Sequence, residues 1–228
     1  MKVTYDLHVH SGLSPCAEKD MTPCNIVGFA KLNGLDMVAV SDHNSILNVK
    51  TALKAGEFYG VTVVPAMELQ TAEDVHVLCL FPTFETLEAF YGSIEFYEIE
   101  NRPDIFGHQF VYNEEDEITG EEKRLLLNGS MISCSEVYAL ADSFGGIAIP
   151  AHVDREENGM VAVLGAVTEE FTAVELSLKA TEEQIAFYKR NYKVIIDSDA
   201  HTLEEMSSGN TLELPEISAE ALIKYLKK

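Results

Sequence analysis

Short apolar runs rich in Val and Ile recur along the chain, each bounded by polar or turn-forming residues. Seven of them, Val3–His8, Met37–Asp42, Val61–Met67, Val75–Phe81, Gly146–Ala151, Ala173–Leu176 and Val194–Asp197, have the length and β-branched content of strands. Helical patterns fill the gaps. Thr22-Pro23 opens one helix, Ile26, Val27, Phe29 and Ala30 form its apolar stripe, and Gly34 closes it. Ser45 and Gly60 bracket a second. Ser133 with Glu136, and Thr181 with Gln184, have the spacing of capping boxes for two more, the first ending at Gly145. Strands alternating with helices predict an α/β fold with a mostly parallel sheet, open or closed into a barrel.

One stretch breaks this rhythm. Glu95–Glu122 holds ten acidic residues and one basic one. Within it, Gln109–Tyr112, an Asn-Glu-Glu-Asp turn and Ile118 predict a hairpin. The segment reads as an acidic insertion around 95–128, either solvated and without a role or a lid over a site. No repeat or linker divides the chain, so residues 1–228 are expected to form a single domain.

Composition adds limits. No run approaches the roughly 18 apolar residues of a membrane span. The start, Met-Lys-Val-Thr-Tyr-Asp-Leu-His, lacks the apolar core of a signal peptide. A cytoplasmic protein without a membrane partner is expected. Cys16, Cys24, Cys79 and Cys134 follow no disulfide or zinc spacing and read mostly as buried thiols. With 16 basic and 38 acidic residues the net charge is −22. Such a surface repels a phosphate backbone, so duplex nucleic acid is not expected as a partner. It would repel any phosphate unless bound cations reversed the sign locally. Nothing in the sequence specifies an oligomeric state.

The histidines supply a reason to expect those cations. Asp6, His8 and His10 alternate along the end of the first strand, so they are expected on one face. Asp197, Asp199 and His201 repeat the arrangement after the last strand. Asp42-His43 ends the second strand, Glu68 the third and His152 the fifth. Ionisable groups at the carboxyl ends of several strands converge on one mouth, where α/β barrels place catalysis. His76 begins a strand instead. A tight reversal after Glu68 would return it to the same mouth, which predicts a local antiparallel pair. His108, in the acidic insertion, reads as a surface residue. Asp6, Asp42 and Asp197 read as acceptors that orient the imidazoles.

In order, Asp-Leu-His-Val-His-Ser, Ser-Asp-His-Asn, Glu68, His76, Ala-His-Val-Asp-Arg and Ser-Asp-Ala-His resemble the motifs of the polymerase and histidinol phosphatase (PHP) family of metal-dependent phosphoesterases. The resemblance implies a distorted seven-stranded TIM-like (β/α) barrel with two or three divalent ions, Mn, Zn or Fe. It implies that His8, His10, Glu68 and Asp199 hold one ion. A second would fall to Glu68 as a bridge with His76 and His152, and a third to His43 and His201. Family members often place a further ligand five residues after the second histidine. Here that position is Pro15, which leaves the role to Asp20 first, with Glu18 and Cys16 as alternatives.

The expected activity is hydrolysis of a small phosphate ester or nucleotide-type substrate by a metal-activated water, with Glu68 bridging the ions. Arg155 would grip a phosphate oxygen, the other reading being a surface salt bridge. The same ligand chemistry also fits hydrolysis of an amide or other carbonyl compound, or a non-catalytic metal-binding module.

Overall fold

The computed structural model describes residues 1–228. Its strands are β1 (Lys2–Val9), β2 (Met37–Val40), β3 (Thr62–Val63), β4 (Ala66–Gln70), β5 (His76–Leu80), β6 (Phe110–Tyr112), β7 (Ile118–Glu121), β8 (Ile147–Pro150), β9 (Ala173–Ser177), β10 (Lys193–Asp197) and β11 (Thr211–Glu213). The principal helices are α1 (Pro23–Leu32), α2 (Val49–Tyr59), α3 (Phe84–Gly92), α4 (Pro103–Phe106), α5 (Cys134–Ser143), α6 (Met160–Leu164), α7 (Glu182–Tyr188) and α8 (Ala219–Leu226). None is long and apolar enough to cross a membrane.

Seven strand positions close a distorted α/β barrel in the order β1, β2, β3–β4, β5, β8, β9, β10 and back to β1. β1 pairs parallel with β2, and β9 with β10. The expected run Val61–Met67 is split between β3 and β4 around Pro65, which has no N–H to give a ladder. Glu68 therefore lies in the middle of β4 rather than at a strand end. β5 runs antiparallel to both β4 and β8, with Gln70 opposite His76. The reversal anticipated between Glu68 and His76 is present.

Side-chain parity explains how one barrel makes both a core and a site. Tyr5, Ala66, Leu78, Leu80, Ile149, Ala173 and Ile195 belong to a single buried cluster together with Leu222 and Leu226 of α8. Alternation along the same strands then carries inward parity from Ala66 to Glu68, from Leu78 to His76, from Ala173 to Glu175 and from Ile195 to Asp197. Apolar residues fill the lower layer, and ligand-type residues form the layer above.

β1 departs from simple alternation. Val3, Tyr5 and Leu7 belong to the inner cluster, yet Val9 packs beneath α1 with Ile26 and Val27. A register shift between Asp6 and Val9 changes the parity. Such a bulge re-aims side chains, and here it separates Asp6 from His8 and His10.

The acidic insertion contains the expected hairpin, β6–β7, and it is fastened to the barrel. Phe110 N donates to Gly12 O at 2.8 Å, Asn48 bonds both Phe110 O and Tyr112 N, and Thr51 Oγ1 donates to Tyr112 O. The buried Gln109 side chain bonds the backbone of Glu122, Arg124 and Leu126. His108 is exposed beside Glu121.

Candidate metal centre

Glu68 lies at the centre of the mouth. Its buried carboxylate is 3.2 Å from His8 Nε2, 3.4 Å from His10 Nε2, 2.8 Å from His43 Nδ1, 2.9 Å from His76 Nδ1 and 3.3 Å from His152 Nε2. Asp199 Oδ1 adds contacts of 3.4 Å to His8 Nε2 and 2.9 Å to His10 Nε2. The ligand atoms form three overlapping groups: His8–His10–Glu68, His43–Glu68–His76 and His10–His43–His201.

The supporting hydrogen bonds fix which ring nitrogen faces inward. Ser14 Oγ donates to Asp42 and so accepts from His10 Nδ1, leaving His10 Nε2 for the centre. His201 Nδ1 donates to the Asp199 carbonyl at 2.8 Å, leaving its Nε2 free. His8 Nδ1 faces both carboxylate oxygens of Glu175 at 2.9 and 3.0 Å. Burial opposes protonation of His8, but Glu175, Glu68 and Asp199 hold its pKa well above the usual value. Burial likewise works against ionisation of Glu68, and His76, His8 and His43 overcome it, holding its carboxyl well below the ordinary range.

The polar satisfaction of the cluster is incomplete in a telling way. His8 Nε2, His43 Nδ1, Glu68 Oε2 and His152 Nδ1 are buried without an aligned hydrogen-bond partner. His43 Nδ1 and Glu68 Oε2 are 2.8 Å apart, yet neither forms a hydrogen bond. Unpaired polar atoms at such depth are costly, and coordination to cations removes the cost. Imidazole with carboxylate suits Zn, Fe or Mn, so the residues present fit divalent ions. His152 and Asp199 also hold φ of 34° and 52°, left-handed values that non-glycine residues rarely adopt.

Several sequence-level assignments change. Asp20 is exposed and lines a separate cleft with Thr22 and Tyr112, away from His43 and His201. Cys16 lines the mouth instead. Asp6 orients no ring; it accepts from Ser198 N and Oγ and from Ser207 N, and so holds the loop that carries Asp199 and His201. Asp197 accepts from Leu7 N at 2.6 Å, again from backbone rather than from a ring. Asp42 acts on His10 through Ser14. Arg155 pairs with Asp199 Oδ2 while Asp199 Oδ1 faces the histidines, so its ion pair is made to the centre and not to the acidic residues beside it in sequence.

Sequence reasoning missed Glu175. An acid two residues beyond inward-facing Ala173 in an otherwise apolar strand was the available signal. Glu175→Gln keeps the shape but removes the charge behind His8, and metal affinity is expected to fall about 10–100-fold. Competition with a chromophoric chelator measures it. Unchanged affinity in a folded variant would remove Glu175 from the centre.

The family model for the PHP domain matches residues 6–197. The chain belongs to the PHP-domain family. Within this domain the clustered His and Glu side chains form groups that could hold metal ions. No curated protein matches it in sequence. Among solved structures it is similar to the lesion-specific endonuclease PfuEndoQ from Pyrococcus furiosus, with TM-score 0.70 and 22% identity, covering 100% of this chain and 56% of that one. It is similar to Endonuclease Q in complex with a 27-mer duplex carrying an abasic lesion at the active site, with TM-score 0.69, 21% identity and coverage of 100% and 57%. An amidohydrolase from Chromobacterium violaceum aligns with TM-score 0.61 and 18% identity, covering 98% of this chain and 95% of that one. The PHP domain spans little more than half the length of the two endonucleases.

These likenesses correct the exclusion of duplex nucleic acid. The same fold, over the whole of this chain, occurs in a protein that holds a duplex at its active site. A net charge of −22 is a sum over the entire surface and does not set the potential where cations bind.

Proposed function

We propose that this PHP domain hydrolyses the phosphate-ester bond of a nucleotide-type substrate at the Glu68 centre. The observation that carries the reading is one buried carboxylate within 3.4 Å of five imidazole nitrogens. That donor density exceeds the four ligands of a tetrahedral zinc and divides into overlapping groups, so the set would fit more than one ion. His8, His10, His43, Glu68, His76, His152 and Asp199 would hold divalent ions, which when bound would supply a hydroxide at neutral pH and neutralise charge on the phosphate.

The protein's own groups do the rest. His8, His10 and Asp199 present lone pairs fixed by Glu175, Ser14 and Arg155. Arg155 engages Asp199 through one nitrogen and retains further N–H groups to donate to a non-bridging phosphate oxygen. The mouth above them is a cavity of about 330 Å³, lined in part by Gln70, Leu127 and Asn158. Its size admits a phosphate and its immediate substituents. The similarity to two endonucleases supports nucleotide chemistry.

The test is a panel of phosphomonoesters, single-stranded and duplex oligonucleotides and cyclic amides, each assayed with Mn, Zn and Fe. Turnover of nucleotide-type esters is expected. Turnover confined to cyclic amides would overturn the proposal. Arg155→Ala is expected to raise KM for the phosphate substrate roughly 10–100-fold, the loss of one charge-assisted hydrogen bond. Arg155→Lys should recover part of it; an unchanged KM in Arg155→Ala would show that the guanidinium serves Asp199 alone.

A further inference from the structure

We propose that Leu127 is a specificity-determining residue of this mouth: the base of a nucleotide-type substrate packs on its side chain while the ester sits at the Glu68 centre. This rests on the reading above and names what tells one ester from another. Imidazoles, carboxylates, amides, a thiol and a guanidinium line the mouth, and Leu127 is the one aliphatic side chain among them. Its neighbours Leu125 and Leu126 are buried, whereas Leu127 is 37% exposed and joins none of the core clusters. A lone exposed leucine is ordinary on a protein surface. One fixed at the rim of a polar cavity is placed to meet whatever enters.

Its position is set by the site itself. Asn44 follows His43, and its side-chain amide donates to the carbonyls on either side of Leu127, Leu126 O at 2.8 Å and Asn128 O at 3.1 Å. Asn44 N donates to Glu68 O at 2.8 Å, and Asn44 Oδ1 accepts from Gln70 N at 2.9 Å. From the insertion, Arg124 Nη2 donates to Asn44 O, and the buried Gln109 Oε1 accepts from Leu126 N. The backbone around Leu127 is thus tied to the residue after His43 and, through it, to Glu68. The cavity takes the phosphate and its immediate substituents, so a base falls at the rim, where Leu127 stands. An aliphatic surface gains from covering a flat, weakly polar group and offers no hydrogen bond to a base edge. It therefore selects for the presence of a base and not for its identity.

The test compares each base-bearing ester with the same ester lacking its base: an adenosine monophosphate with a ribose phosphate, and a dinucleotide with its abasic counterpart. Wild type is expected to have the higher kcat/KM on the base-bearing member of the pair it turns over. Leu127→Ala should cut that preference about tenfold, the worth of covering the exposed part of one leucine side chain, with most of the change in KM. Leu127→Met should recover it. The melting midpoint should not move, because Leu127 lies outside the core. A Leu127→Ala protein that keeps the wild-type preference, or that loses kcat/KM equally on both members, overturns the Leu127 proposal and leaves the nucleotide reading standing. A wild type that turns over both members equally well does the same. No turnover of any nucleotide-type ester overturns both.

Discussion

Glu68→Gln is expected to lower turnover by about three orders of magnitude or more while the protein stays folded. The substitution preserves volume in a site where Glu68 is 1% exposed, so packing changes little. What disappears is the negative charge shared by His8, His10, His43, His76 and His152. An amide is uncharged and offers a single oxygen donor, so it would hold the ions that supply the hydroxide less well. Elemental analysis alongside steady-state kinetics gives the answer: bound metal should fall together with kcat. A folded Glu68→Gln protein with wild-type turnover would end the bridging role.

Chelation is expected to abolish activity and to lower the melting midpoint by about 5–10 °C for each ion position emptied. Ions at a hundred-fold excess over their dissociation constant stabilise the native state by about 2.7 kcal/mol per site. For a chain of this length, about 1 kcal/mol moves the midpoint by roughly 2–4 °C. The structure gives the effect a local cause, since stripping the ions leaves buried His8 Nε2, Glu68 Oε2 and His152 Nδ1 unpaired. Calorimetry before and after chelation, with restoration by added metal, checks it. Identical midpoints would mean that the cluster holds nothing tightly.

The barrel and the residues gathered at its mouth were legible because strands and strand-end ionisable groups both leave local marks. Val-rich runs ended in His, Asp or Glu at β1, β2 and β10, and a capping box marked α5. What was illegible depends on tertiary context. α3 opens on Thr83 with Thr86 rather than Glu or Gln at the third position, so the spacing gave no capping-box signature. The second helix starts at Val49 instead of Ser45, because Asn48 is engaged with the hairpin. The parity change in β1 is a bulge, and alternation read from sequence assumes none. Asp20 was the first choice for the ligand missing at Pro15, but the fold puts it in a separate cleft, while Cys16 lines the mouth with His43 and His201. Charge counting failed for duplex nucleic acid because a total says nothing about where the cations are.

The stitched hairpin has a consequence for how molecules reach this centre. Bonds to Gly12, Asn48 and Thr51, with Asn44 clasping Leu126 O and Asn128 O, hold the segment against the barrel. Lifting it as a flap would break these bonds together, each at a net cost of about 1 kcal/mol.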